Sequence, residues 1–259
     1  MKGLFHGEKE VIKILENKDY ELWNGDCLEM IKQIPNESVD LILTDPPYEN
    51  IIEEDWDKKG NNPFDSKLCK EFYRILKPTG SVYIWCGIGE KSRSLLKFIP
   101  ILDKEFYFKD LITWKKKKGI GMRKGWLYTR EECLWYVKDN KQFFWNKENQ
   151  YSEEKRQTSN KNKCVPKSEY KRITNVWDDI SEETCGNTKN KEKLHPCIKP
   201  VRLMERIIRV STVEEQVVLD CFMGSGSVGV AALNLHRKFI GIELDEKYFN
   251  IAKERIDKA

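Results

Sequence analysis

Asp45, Pro46, Pro47 and Tyr48 stand directly after an apolar run that begins at Val39 and includes Leu41, Ile42 and Leu43. A continuous run of that length suits a strand buried on both faces of a parallel sheet. Asp45 then lies at the strand's carboxyl end, the edge at which open α/β sheets bind ligands. The two prolines fix an extended turn that needs no backbone donors, so a carboxylate acceptor and an aromatic face are held together. That combination suits a pocket for a planar ring bearing an amino group. An ordinary strand-to-loop turn would account for Pro46 and Pro47 alone. It would not account for the acid and the tyrosine on either side of them.

A second constellation lies far along the chain. Asp220, Phe222, Gly224, Ser225 and Gly226 fall between an apolar run at residues 217–222 and a helical pattern beginning at residue 227. Glycines there let the backbone close on a ligand, and the helix start offers unpaired N–H groups. Gly-x-Gly alone is weak evidence. Glu243, an acid at the end of the next predicted strand with Leu244 beside it, strengthens it, because an acid at that place can bind the two hydroxyls of a ribose. A dinucleotide site is the competing reading, and a second ligand motif at Asp45 on the same sheet weighs against it.

Three further groups invite chemistry. Cys164, Cys185, His195 and Cys197 share one stretch, but they contain no Cys-x-x-Cys pair, and no metal site is expected. Lys115, Lys116, Lys117 and Lys118 form a basic run that suits phosphates if it lies in a loop beside the pocket, and that is otherwise a solvated surface. Trp56 could seal the pocket or pack beneath a loop.

The elements that must position these residues alternate. Strands are expected at residues 20–23, 39–44, 81–86, 106–114, 132–137, 217–222 and 238–244. Helices are expected at residues 27–34, 66–76, 90–101, 201–210, 227–235 and 245–256. Residues 49–63 and 115–124 read as loops. Such alternation implies a mostly parallel, doubly wound α/β sheet. From residue 138 to 193 the periodicity vanishes, leaving anchors such as Phe143, Phe144, Trp145, Val176 and Trp177. The composition suits a disordered insert, while the aromatic anchors and basic excess favour an insert that reads DNA.

At 259 residues the chain can bury a real core, and one discontinuous domain is expected. The formal charge of +4 is unevenly placed: residues 109–172 hold 18 Lys and Arg against 8 Asp and Glu, and the remainder holds 28 against 34. A basic middle in an acidic frame points to a polyanionic partner. Eight dispersed cysteines, no apolar leader and no apolar run of membrane-spanning length lead us to expect a reduced, cytoplasmic, soluble protein with no membrane partner.

The motif order now carries a resemblance. Asp45-Pro46-Pro47-Tyr48 comes first, then an insert, then His195-Pro196 with Lys199-Pro200, and the Gly224-Ser225-Gly226 loop last. This order resembles the beta group of DNA amino-methyltransferases, which act on adenine N6 or cytosine N4, and the likeness spans nearly the whole chain except residues 142–193 and the first dozen or so. Glu49, Cys197-Ile198 and Arg130-Glu131 depart from the family's usual residues.

The resemblance implies a seven-stranded Rossmann-like methyltransferase sheet. Residues 1–137 would form its catalytic half, 138–193 a target-recognition insert and 194–259 its cofactor-binding half. It implies S-adenosylmethionine as cofactor, lined by Gly224 and Gly226. Glu243 would bind the ribose, Asp26 with Cys27 would meet the cofactor's adenine, and Lys199 and Ser225 would lie near the methionine carboxylate. Asp45, Pro46, Pro47 and Tyr48 would be catalytic, and Asp45, Asp220, Phe222 and Leu244 would also bind the cofactor. Double-stranded DNA is the implied partner; a cognate restriction endonuclease and a homodimer are both compatible with the family. Adenine N6 is the expected target, since the family more often has serine at the place of Asp45 when cytosine N4 is methylated. An RNA methyltransferase and a non-catalytic nucleic-acid-binding module remain open beside these.

Overall fold

Parallel strands joined by helical crossovers build the centre of the molecule. The computed structural model describes residues 12–47, 64–89, 92–120, 124, 126–155, 168–182 and 198–259. An edge strand β1 (Ile12–Glu16) pairs antiparallel with β2 (Tyr20–Asn24). Helix α1 (Cys27–Met30) is capped by Asp26, whose side chain accepts from Leu28 N at 2.8 Å. It is shorter than expected: it tightens into a 3-10 turn at Ile31–Gln33 because Pro35 bars a further helical turn.

Strand β3 (Val39–Thr44) is buried at all six positions, as its unbroken apolar run requires. Helix α2 (Ser66–Ile75) follows, with Leu68, Cys69, Phe72 and Ile75 turned to the core and Asp65 capping its start. Strand β4 (Leu76–Cys86) begins five residues earlier than expected; a register shift against β3 absorbs Lys77, Pro78 and Thr79. Helix α3 is Ser94–Leu102, shorter at its start than the predicted 90–101, and residues 90 and 91 lie outside the described residues.

The largest departure concerns residues 115–124, expected as a loop. Residues 115–120 belong instead to β5 (Tyr107–Ile120), which pairs antiparallel with β6 (Tyr128–Val137). A register shift between Lys115 and Ile120 swells the pair there, which is why the lysine run shows no strand alternation.

Part of the basic middle packs on the fold. Phe144 N donates to Thr79 O at 2.8 Å, Asn146 N donates to Val210 O at 2.8 Å, and Trp145 stacks on Trp135 at 4.9 Å. A small separate ladder pairs β7 (Tyr151–Lys155) with β8 (Tyr170–Arg172). Then β9 (Val176–Trp177) joins the central sheet beside β5, and buried Trp114 donates its indole N–H to Ile180 O at 2.8 Å.

The chain closes with α4 (Val201–Ser211), β10 (Val217–Asp220), α5 (Ser227–Asn234), β11 (Lys238–Glu243) and α6 (Glu246–Ile256). The sheet order is β1-β2-β11-β10-β3-β4-β6-β5-β9. The expected seven strands run contiguously from β2 to β5 in this order, and β1 and β9 extend the edges. Parallel pairing holds from β2 through β4, and β6 turns antiparallel. One apolar cluster fills each face of the sheet. No helix among the described residues is long and apolar enough to cross a membrane.

Candidate active site

From β3 the chain crosses to β4 on one side, and from β10 it crosses to β11 on the other. The seam between β3 and β10 is therefore the point where the winding reverses, and loops leaving the two carboxyl ends must diverge and leave a crevice. A cavity of about 340 Å³ opens there, within the range typical of small-molecule sites. Asp26, Cys27, Asp45, Pro47, Lys199, Asp220, Phe222, Gly224, Ser225, Glu243 and Leu244 all line it. Residues from the two ends of the sequence thus meet in one place.

Pro46 and Gly226 do not line the cavity. Gly226 caps α5 at a φ of +78°, and a Cβ there would stand 3.0 Å from the Cβ of Ala252, so its part is to let α5 start close against α6. Gly229 stands at the third place of a Gly-x-Gly-x-x-Gly spacing, and a Cβ there would come within 2.6 Å of Ile256 Cδ1. Glycine spacing therefore leaves the dinucleotide reading standing, and the decision falls to the other groups. Tyr48, Glu49, Trp56, Cys164, Cys185, His195, Pro196 and Cys197 lie outside the described residues.

Burial dominates the electrostatics of the crevice. Asp220 accepts from Thr44 Oγ1 at 2.7 Å and from Phe222 N at 3.1 Å, yet burial, reinforced by the charges of Asp45 and Glu243, pushes its carboxyl up to about 7. Glu243 is likewise raised by burial, to about 6, and its two oxygens accept from Gly224 N at 2.7 Å and Asp245 N at 2.9 Å. Those bonds fix the carboxylate plane, and each oxygen keeps a second lone pair for a ligand hydroxyl. Burial, then the neighbouring charge of Asp26, lifts the Cys27 thiol to about 12, so it is a neutral wall rather than a nucleophile.

Trp85 also lines the cavity, and Glu131 and Lys116 stand behind Lys199; none of the three is among the sequence-predicted site residues. Lys199 ion-pairs with Asp45 and also with Glu131 Oε2 at 3.0 Å, and its ammonium lies 5.4 Å from the ring centre of Trp85. Glu131 is paired on its other side by Lys116. Burial alone would raise the Glu131 carboxyl, but Lys199 and Lys116 outweigh it and hold it below its ordinary value. Trp85 was findable, because it sits near the carboxyl end of a strand parallel to β3. The pairing of Glu131 with Lys199 and Lys116 was not legible in the sequence, since nothing local brings the base of an antiparallel hairpin to that edge.

The profile of the N6/N4 DNA methylases matches residues 39–254. The chain belongs to this family. It is 33% identical to the type II methyltransferase M.HpaI of Haemophilus parainfluenzae, over 92% of this chain and 74% of that protein. It is 32% identical to the DNA adenine methyltransferase YhdJ of Escherichia coli K12, over 94% and 84%. Among solved structures, the M1.HpyAVI–SAM complex aligns with a TM-score of 0.61 and 28% identity over 91% of this chain and 99% of that one. The cytosine-N4-specific PvuII DNA methyltransferase shares the fold, at a TM-score of 0.69 and 19% identity over 93% and 87%.

The methylase family uses S-adenosylmethionine as methyl donor, and the crevice suits it. Asp26, Asp45 and Glu243 line it against Lys199, an acidic balance that favours a cationic sulfonium and disfavours the pyrophosphate of a dinucleotide. The Glu243 carboxylate, fixed by Gly224 N and Asp245 N, has the geometry to accept from paired hydroxyls.

Proposed function

We propose that this methylase transfers a methyl group to the exocyclic N6 of adenine in a specific double-stranded DNA sequence. The observation that carries the reading is the position of Asp45, an acidic residue, on the wall of the crevice at the carboxyl end of β3, in a cavity that Glu243 also lines. Adenine's amine is a poor nucleophile because its lone pair is delocalised into the ring. Asp45 accepting one amine hydrogen and the Pro46 carbonyl accepting the other would localise that pair and aim it in line at the methyl carbon. Bound in the crevice, S-adenosylmethionine supplies a methyl group activated by a sulfonium. As the N–C bond forms and the C–S bond breaks, Asp45 is placed to take the proton that the nitrogen loses. Tyr48 would stack on the base, which must leave the duplex to reach the pocket.

Glu243 would hold the ribose, Asp26 and Cys27 the cofactor's adenine, and Asp220, Phe222, Gly224, Ser225 and Leu244 the rest of the cofactor wall. Gly226 acts by setting the start of α5. Lys199 serves Asp45 and, with cofactor present, its carboxylate. We take residues 1–137 and 194–259 as the two halves of the catalytic domain and 138–193 as the segment that reads the target. A cognate restriction endonuclease and a homodimer fit the type II relatives.

Sequencing that reports modified bases, on plasmid DNA from cells expressing the protein, tests the reading. N6-methyladenine at one recurring site is expected, and an Asp45→Ala variant should leave the same DNA unmodified while still binding cofactor. N4-methylcytosine at a recurring site would move the target to cytosine. Unmodified DNA from the wild type would remove the activity.

A further inference from the structure

Beyond Glu132, which pairs with Cys86 at the last residue of β4, the β5–β6 hairpin leaves the body of the sheet and projects past its carboxyl edge, the edge at which the crevice opens. It is anchored there: Tyr128 Oη accepts from Ile88 N at 3.2 Å, and Lys116 at its base pairs with Glu131. Near its end, Trp126 is 96% exposed and Leu127 is 66% exposed. Trp126 is the most exposed large apolar side chain among the described residues. Lys115, Lys118, Lys124 and Arg130, on the same projection, are exposed as well.

An indole held in water on a cationic arm contributes nothing to the core. The combination matches what a duplex offers: phosphates outside for the cations, and stacked bases inside for the ring. We propose that Trp126, with Leu127 beside it, is the wedge that enters the base stack at the target site and fills the gap left when the target base turns out toward Asp45. The inference rests on the methyl-transfer reading above. It adds the residues that stabilise the opened duplex, which the crevice itself does not supply. Because the hairpin is tied to the loop after β4, the wedge and the pocket keep a fixed spacing, so insertion and base extrusion are one event.

The test uses the full-length protein and a duplex carrying the site found by modification sequencing, in two forms: fully paired, and with an abasic position opposite the target base. Single-turnover methyl transfer is measured for wild type, Trp126→Ala and Trp126→Phe. Trp126→Ala should lose about tenfold or more on the paired duplex and less than about threefold on the abasic one, where extrusion is already easy. Trp126→Phe should stay near wild type on both. An equal loss on the two duplexes, or no loss on the paired one, overturns the wedge. So does a change from dimer to monomer in light scattering with the rate ratio unaltered, which would make the tip a contact between copies. Wild type inactive on both duplexes overturns the methyl-transfer reading itself. The unfolding midpoint of Trp126→Ala should lie within about 2 °C of wild type, because an exposed side chain carries little of the core.

Discussion

Asp45 shares Lys199 with Glu131, and Glu131 shares Lys116 in turn, so the acceptor in the pocket is set by a chain of four alternating charges. Glu131→Gln would leave Lys199 to pair with Asp45 alone. Asp45 would then hold the Lys199 ion pair by itself and accept an amine hydrogen less readily, so the single-turnover rate should fall by about tenfold. Cofactor affinity should not change. A single-turnover rate equal to wild type would show that Glu131 has no bearing on Asp45.

Asp220 gives a pH signature at this scale. Its ordinary carboxyl value of 3.8 rises to about 7 in the folded protein, so between those values the folded state holds a proton that the unfolded state has released. Stability must therefore fall as pH rises through that window. Asp220→Asn keeps acceptors for Thr44 and Phe222 N and removes the titration. Its unfolding free energy relative to wild type should climb from pH 4 to pH 7 and level off above, by an amount on the order of a few kcal/mol at most. A gap that is flat with pH would rule out a titrating Asp220. Glu243→Ala should weaken S-adenosylmethionine binding by about 10- to 100-fold, since two hydroxyls lose a charged acceptor worth roughly 1.5 to 3 kcal/mol. Calorimetry finding unchanged affinity would shift ribose binding to another acid.

At the scale of elements, the four lysines that look alike in sequence divide. Lys116 is largely buried against Glu131, Lys117 Nζ donates to Asp178 O at 2.7 Å, and the backbone N–H groups of Lys117 and Lys118 donate to Glu182 at 2.8 and 2.9 Å. A bulged strand that turns one lysine inward and the others out is why. Replacing Lys115 and Lys118 with alanine should leave stability unchanged and reduce the log-log salt slope of DNA affinity by roughly 0.9 for each phosphate that the pair neutralises, without changing the preferred site. An unaltered slope would make these two a solvated surface. Lys116→Ala belongs to a different class, because it strips a charge partner from a buried carboxylate and should destabilise the fold.

At the scale of the molecule, the segment from residue 138 to 182 is partly structural. Trp145 stacks on Trp135, and its neighbours Phe144 and Asn146 bond to Thr79 O and Val210 O at the end of the sheet opposite the crevice, so this part of the segment packs on the fold. Trp177, 5% exposed, fills the core beside β5, and Trp177→Ala should cost about 3 to 5 kcal/mol in chemical denaturation. The β7–β8 ladder is different. Ile173 N donates to Gln150 O at 2.9 Å, so its two ends meet. Replacing residues 151–172 with a short turn should therefore leave folding and cofactor binding intact and abolish preference for the target sequence more than general DNA affinity. Unchanged methylation specificity in that variant would place sequence reading elsewhere.

The sequence by itself determined the crossover units and most of the crevice. Val39–Thr44 reads as a doubly buried strand because its apolar run is unbroken, and the acids and glycines at Asp45, Asp220, Gly224 and Glu243 stand at strand ends, where parallel sheets bind ligands. Local periodicity carries that information because each such strand is buried whichever neighbours it finds. Tertiary structure alone decided what depends on pairing between distant segments. The lysine run became strand because β6 lies beside it, and Val176–Trp177 became the edge of the sheet because β5 offered an unpaired side. Glu131 reached Asp45 through Lys199 because an antiparallel hairpin brings its base to the carboxyl edge of parallel strands. A two-residue strand or a single buried acid has no period of its own, so its partners fix its place.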